Sequence, residues 1–327
     1  MTVLITGFPK LLSRRLAGTI LSDSPGAEVA LLAEDHQEID LRRFIATLPS
    51  GRARPYIGEA SSMHLGLSTS EFRELTGVCT EILHAAESND FDADRPTLER
   101  INREGTRAIV ELAQDCKQLR RLTHFSTIFV SGERTGIISE DELATGQSFR
   151  NGYEETKFEA ELIVRRAMGQ VPATILRPSI VVGERDGAYA LLLTLLRSPL
   201  QGALPGAPLN LIGLDFAVAA SLALHRDPRA AGRTAHLVDP HPSSVRRVYE
   251  LFAQRSGRKL PQVRPNLGTN LLDRLFKQQR AALKYAGHLA FYSSRNLLEL
   301  LASTGLSCPP VDSLLDDLVR DAQAKND

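Results

Sequence analysis

Val3-Leu4-Ile5-Thr6-Gly7-Phe8-Pro9-Lys10-Leu11-Leu12-Ser13 is the stretch that decides the fold. A short apolar run closes on Thr6-Gly7, and residues with helical spacing follow from Leu11 to Leu21. A strand that ends in Thr-Gly and opens into a helix is where dinucleotide-binding folds seat a diphosphate. The helix start offers free N–H groups and the positive end of its dipole. The full pattern at such a turn is T-G-x-x-G-x-x-G. Gly7, needed for the tight turn, is present; Lys10 stands where the backbone should approach the diphosphate, and Ser13 where the helix should pack closely on the strand. Lys10 has two outcomes open to it: its ammonium pairs with a phosphate, or its side chain displaces the ligand and weakens binding. One glycine of this set is a weak signal alone, and its reading depends on the rest of the chain.

Outward from the turn, strands and helices alternate. Glu28 to Ala33 is β-rich, residues 36–48 form an amphipathic helical pattern, and Arg54 to Gly58 reads as a short strand. A helix over about 69–76 precedes the apolar run Glu81 to Ala86. Leu98 to Cys116 reads as one long helix with Ile101, Ile109, Val110 and Leu112 on its apolar side. Leu122 to Thr127 is the next strand, a helix runs from Glu154 to Met168, and Ala173 to Val182 is again strand-like. Such alternation implies a parallel sheet covered on both faces. Later, Leu211 to His225 reads as strand then helix, Thr234 to Val238 as a short strand, and the chain from Ser243 onward as mainly helical. The expected fold is α/β: a doubly wound parallel-sheet Rossmann fold with a smaller, mainly helical C-terminal lobe. Residues 1–182 are expected to form the NAD(P)-binding domain and 183–327 mainly the substrate lobe, with the segment 210–240 returning to the first domain.

Composition narrows the function. Among 327 residues, Lys+Arg and Asp+Glu both number 39, so no net charge steers the chain to nucleic acid or an anionic membrane. Cys79, Cys116 and Cys308 are far apart and odd in number, which argues against a disulfide framework or a zinc knuckle and fits a reducing cytoplasm. The apolar stretch Tyr189 to Leu196 ends at Arg197 and is too short to span a bilayer. No H-E-x-x-H or H-x-H occurs, so no metal is expected, and His84 and His124 read as satisfied core residues. Arg120-Arg121 and Arg246-Arg247 read as solvated faces. The leucines of 191–196 read as helix core, with an acyl pocket as the second possibility, and Gly183-Glu184-Arg185-Asp186-Gly187 as a surface turn or the rim of a binding site.

Tyr153 and Lys157 stand at i and i+4 at the start of a helix and share one face. A phenol, with a pKa of about 10, is a poor acid at neutral pH, and a neighbouring ammonium is expected to bring that value down. Taken alone, the pair also reads as a solvated surface contact. Ser126-Thr127 at an upstream strand end changes that, because a hydroxyl there can bind a carbonyl oxygen while Tyr153 donates a proton.

With these residues in place, the chain resembles the extended short-chain dehydrogenases/reductases, and within them the thioester reductase and fatty acyl-CoA reductase branch of the male-sterility type. The likeness lies in Gly58-Glu59-Ala60 with Leu65-Gly66-Leu67-Ser68, in Ile82-Leu83-His84-Ala85-Ala86, and in Asn102-x-x-Gly105-Thr106. It continues through Phe125-Ser126-Thr127-x-x-Val130-x-Gly132, Tyr153-x-x-x-Lys157 with Glu161, Leu176 to Gly183, Asp215 and Cys308-Pro309. The resemblance implies that Thr127, rather than Ser126, binds the substrate carbonyl oxygen, that Tyr153 is the general acid, and that Lys157 holds the nicotinamide ribose. It implies cofactor contacts from Gly7, Phe8, Pro9, Lys10, Leu11 and Leu12 at the turn, and from Glu59 and Ala60 at the adenine. Ala85 and Ala86 would lie along the diphosphate and ribose, and Pro178 and Ile180 near the nicotinamide.

The cofactor's phosphate state is divided. Glu34 closes the second strand where an acidic residue reads as a ligand of the 2′-hydroxyl, hence NAD(H). The resembled branch usually has arginine there and prefers NADPH, and Arg42 or Arg43 could supply a charge; NADP(H) is weakly favoured and NAD(H) stays open. The implied activity is NAD(P)H-dependent reduction of a carbonyl or acyl thioester, free or carrier-bound, to an aldehyde or alcohol. Ketone/hydroxyl exchange, a sugar-nucleotide epimerase or dehydratase, and a cofactor-sensing protein without turnover are the alternatives. No nucleic acid or membrane span is expected, the location is cytoplasmic, and the chain is a monomer or a homodimer.

Overall fold

The computed structural model describes residues 1–197, 206–259, 285 and 288–324. Its centre is a seven-stranded sheet built from β1 (Thr2–Thr6), β2 (Glu28–Ala33), β3 (Ala53–Ile57), β4 (Cys79–His84), β5 (Arg121–Phe125), β6 (Ala173–Pro178) and β7 (Thr234–Leu237). The order is β7-β6-β5-β4-β1-β2-β3, with every neighbouring pair parallel. Parallel strands need crossovers, here α1 (Leu11–Asp23), α2 (Glu38–Ile45), α3 (Thr69–Val78), α4 (Gly105–Asp115) and α5 (Gly152–Ala167). α6 (Gly187–Arg197) and α7 (Leu214–Arg226) follow between β6 and β7.

Both faces of the sheet are dry, which is why its strands are apolar runs and not alternating ones. Val3 and Ile5 pack on one face with Leu16, Ile20 of α1 and Phe216, Ala220 of α7. Leu4, on the opposite face, packs with Ile109, Leu112 of α4 and Val164 of α5. A third cluster, away from the sheet, joins Tyr189, Leu192 and Leu196 of α6 to Val248 and Phe252 of α8 (Val245–Ser256) and to Leu318.

Four sequence expectations change. The strand expected over Ala173–Val182 divides after Pro178, which has no N–H to extend the ladder; Ile180–Val182 pairs with Leu211–Gly213 outside the main sheet. The long helix expected over Leu98–Cys116 contains a wider π-type turn, Glu99–Glu104, before α4 begins. That turn carries Asn102 inward, where it is buried and hydrogen-bonded. Arg121 is not on a solvated face: its guanidinium is buried and donates to Thr174 Oγ1 at 2.6 Å and to the Asp227 carbonyl at 2.9 Å. His124 is a core residue but not a satisfied one, since neither ring nitrogen has a hydrogen-bond partner among the described residues.

Candidate active site

Strand order reverses between β1 and β4, so their C-terminal ends open a crevice, the position where open α/β sheets bind ligands. At its floor Gly7 has φ +93°, and a Cβ there would lie 2.6 Å from the Ala85 carbonyl oxygen. Gly7 is therefore demanded by the approach of two backbones, whatever binds above them. Lys10 N–H closes the turn on the Gly7 carbonyl at 3.0 Å. Ser13 meets the packing demand of the missing glycine by being small and buried, with its hydroxyl donating to the Thr6 carbonyl at 3.0 Å.

His84 ties the same floor together. Its Nδ1 lies 2.8 Å from Thr6 Oγ1, and its Nε2 lies 3.1 Å from Thr106 Oγ1. Because the Thr6 hydroxyl also accepts from Ala86 N–H, and Thr106 donates to the Asn102 carbonyl, the set is satisfied by His84 protonated on Nε2 only. Burial and the nearby Lys157 ammonium push its imidazolium down to about 3, which keeps the ring neutral.

The crevice has two halves. The outer one, about 610 Å³, runs between the turn (Gly7, Phe8, Pro9, Lys10) and Leu32, Glu34, Gly58 and Ala60. Gly58 is required here as well, since a Cβ would fall 2.1 Å from the Leu65 carbonyl oxygen. Three residues expected at the cofactor are not brought to this lining. Arg43 is exposed and pairs with Asp40 at 3.4 Å, as Arg42 does with Glu38 at 2.7 Å, because α2 points those i,i+3 and i,i+4 partners outward. The Glu59 carboxylate turns to Arg100, Ser61 and Ser62, and Leu11 is exposed at the start of α1.

The inner half, about 690 Å³, brings together Lys10, Leu12, Ala85, Thr127, Tyr153, Pro178 and Ile180 from the expected set. α5 holds Tyr153 and Lys157 one turn apart, and Asn151 Oδ1 caps it by accepting from Glu154 N–H at 3.0 Å. Lys157 is buried and donates to the Phe125 carbonyl at 2.7 Å. Thr127 Oγ1 accepts from Phe129 N–H at 3.3 Å. Ser126 is occupied elsewhere, donating at 2.7 Å to Glu161, which Arg177 also grips.

One residue at the centre was passed over in the sequence. Glu87, just beyond the Ala85-Ala86 pair, reaches Lys157 Nζ at 3.0 Å, Lys10 Nζ at 3.1 Å and the Tyr153 hydroxyl, which donates at 3.4 Å. Burial alone would raise its carboxyl, but Lys10 and Lys157 hold it down at about 2. Where Lys157 was expected to bring the Tyr153 phenol down, burial and the Glu87 carboxylate outweigh it and push the phenol well above the ordinary value, with the Thr127 hydroxyl opposing them only in part. The sequence signal was a carboxylate just past the end of β4, next to the switch point.

The 183–187 loop is part of the site and not a plain surface turn. Asp186 pairs with Lys10 at 3.4 Å, and Glu184 accepts from Leu12 N–H at the start of α1. Burial, with Asp186 nearby, raises the Glu184 carboxyl. Behind the β4 loop, Asn102 Oδ1 accepts from Ser88 N–H at 2.8 Å, while its Nδ2 donates at 3.0 Å to the Ser88 carbonyl and to Thr156 Oγ1 of α5.

An apolar cavity of about 780 Å³ adjoins the inner half, and Phe129, Ile180 and Ala188 line both. Leu191, Leu192 and Leu195 of α6 wall it opposite Val245, Tyr249 and Tyr285, so these leucines are core and cavity wall at once. Phe91 stacks on Tyr285 at 5.5 Å and meets Tyr153 edge-on at 5.1 Å.

A family described as male sterility protein, with NAD-binding members, matches residues 28–211. The chain is 26% identical over 190 residues to the hybrid PKS-NRPS synthetase gkaA of Penicillium citrinum, covering 57% of this chain and 5% of that protein. It is 30% identical over 150 residues to the fatty acyl-CoA reductase wat of Drosophila melanogaster, covering 38% of this chain and 29% of that one. Both curated relatives are thus far longer than the stretch they share with it. The terminal R domain from the myxalamid PKS-NRPS biosynthetic pathway superposes with a TM-score of 0.82 at 25% identity, over 98% of this chain and 90% of that one.

Proposed function

Because the chain belongs to the male sterility family of NAD-binding proteins, we propose that it is a nicotinamide-dependent reductase that acts on an acyl thioester or carbonyl compound with an apolar acyl group. One observation carries this reading: Thr127 and Tyr153 line the inner half of the crevice, which opens through the shared residues Phe129, Ile180 and Ala188 onto a large apolar cavity. The crevice residues suit the cofactor at both ends. Gly58 and Ala60 leave room at the outer half, and Ser179 Oγ, buried with no hydrogen-bond partner among the described residues, lines the inner half.

Bound there, the cofactor supplies the hydride. The chain's own task is to hold and polarise the carbonyl. Thr127 and Tyr153 donate hydrogen bonds to the substrate oxygen, where negative charge grows, and Tyr153 passes its proton to it. Lys157, fixed by the Phe125 carbonyl, orients the ribose hydroxyls. The α6 leucines shelter the acyl chain and exclude water. A thioester delivered by coenzyme A or a carrier protein would reach the site from the open side of this cavity.

The weak sequence preference for NADPH came from the resembled branch, with Arg42 and Arg43 as the residues that could supply the charge. With both paired outward and Glu34 lining the outer half, the reading that fits is a free 2′-hydroxyl, hence NADH. The test is a fluorescence titration with NADH and NADPH, followed by cofactor oxidation with a series of acyl thioesters and aldehydes. Binding of NADH with turnover that rises with acyl length supports the reading. Failure of both nucleotides to bind at near-millimolar levels sinks it.

A further inference from the structure

The two halves of the crevice share only two lining residues among those described, Lys10 and Glu87, and these form an ion pair at 3.1 Å. The pair therefore spans the place where the halves meet. A dinucleotide that fills both must lay its diphosphate across it. On either side the donors a diphosphate would need are already in use. Glu184 takes Leu12 N–H at the start of α1, the group a diphosphate would use, and Lys157 holds the second oxygen of Glu87 at 3.0 Å. A diphosphate placed there without rearrangement would face the carboxylates of Glu87, Glu184 and Asp186 at once.

Resting on the nucleotide reading above, we propose that Lys10 and Glu87 are a latch across the crevice, opened when the ligand's diphosphate takes the Lys10 ammonium from Glu87. Lys10, at the position of a missing glycine, then replaces backbone contact with a charge. Glu87 is a positioning residue: it holds Lys10 over the crevice and Lys157 beside Tyr153, and it opposes any anion until Lys10 moves. The latch selects for ligands with a diphosphate between their two ends. A ligand without a diphosphate offers Lys10 no anion and leaves the pair closed, even where it touches the outer half that both residues line.

The experiment measures NADH binding by fluorescence and adenosine binding by ligand-observed NMR, on the full chain and on folded variants checked by thermal unfolding. Glu87→Gln removes the repelling charge and frees Lys10. It should tighten NADH about tenfold or more while leaving adenosine unchanged. Lys10→Met leaves Glu87 facing the diphosphate and should weaken NADH by a similar factor, again with adenosine unchanged. In the double variant most of the gain from Glu87→Gln should vanish, because no ammonium is left to move. NADH bound by Glu87→Gln but not by the parent chain would also support the latch. Equal NADH affinity in the parent chain and Glu87→Gln overturns the latch and leaves the nucleotide reading standing. If neither adenosine nor NADH binds any of the proteins, the nucleotide reading fails and the latch with it.

Discussion

The two ends of one crevice have been treated differently. At the α5 end the hydroxyl, phenol and ammonium expected for carbonyl reduction are all present: Thr127 and Tyr153 line the crevice, and Lys157 is buried one turn behind Tyr153. At the α1 end a single glycine remains of the expected set, yet the turn keeps its shape. Side-chain chemistry has few substitutes, whereas a backbone turn needs only a residue that tolerates its dihedral angles and a neighbour small enough to pack. Gly7 answers the first need and Ser13 the second. What the turn has lost is the bare surface a phosphate would meet, and side-chain charge stands in its place.

This contrast can be broken most directly at the α5 end. Tyr153→Phe should lower kcat by about 10²- to 10⁴-fold with NADH affinity nearly kept. Turnover at the parent rate would mean the proton comes from elsewhere. At the turn, Gly7→Ala forces a Cβ against the Ala85 carbonyl at a positive φ. Thermal unfolding should register a loss of about 2–4 kcal/mol, and an unshifted Tm would show that the turn can yield.

Acid should separate the core from the site. Glu161 lies below the ordinary carboxylate value, at about 2: burial would raise it, but Arg177 and Arg165 prevail. A carboxylate lower in the folded state adds stability above its unfolded value, about 4.3, and loses it as pH falls toward the folded one. Unfolding free energy should therefore drop between about pH 5 and pH 2, and Glu161→Gln should flatten that slope while lowering stability at neutral pH. A parent slope surviving in the variant would assign the effect to other carboxylates, Glu87 first.

Smaller effects sharpen the specificity of each end. Glu34→Arg should shift the NADH-to-NADPH affinity ratio about tenfold toward NADPH, measured by competitive titration. Leu195→Phe narrows the apolar cavity and should raise KM a few-fold for long acyl substrates and leave short ones unchanged. Equal effects on both would place the acyl chain somewhere else.

Much of this was legible in the sequence, because strands covered on both faces are written as apolar runs and an i,i+4 pair on a helix needs no tertiary information. The placement of Thr127 and Tyr153 on the crevice, with Lys157 one helical turn from Tyr153, follows from two such local patterns. The unread features are contacts between distant positions. Glu184 accepts from the N–H of Leu12, 172 residues earlier, and Glu87 acquires its role only when the turn before α1 and the helix α5 bring two ammoniums to it. Arg121 looked like half of a solvated basic pair because nothing local reports that Thr174 on the neighbouring strand β6 and the Asp227 carbonyl after α7 receive its guanidinium. The π-type turn was hidden in a good helical pattern, since one extra residue per turn barely disturbs apolar spacing over so short a span.

That turn has a consequence for what the site can tolerate. The Asn102 amide meets a donor with its oxygen and two acceptors with its nitrogen, spacing the loop that carries Glu87 from the helix that carries Tyr153 and Lys157. Aspartate has the same outline but the wrong polarity on one side, and would set lone pair against lone pair at the Ser88 carbonyl. The gap between the carboxylate and its two partners is thus gauged by a side chain that touches none of them, and it depends on a single distinction between nitrogen and oxygen.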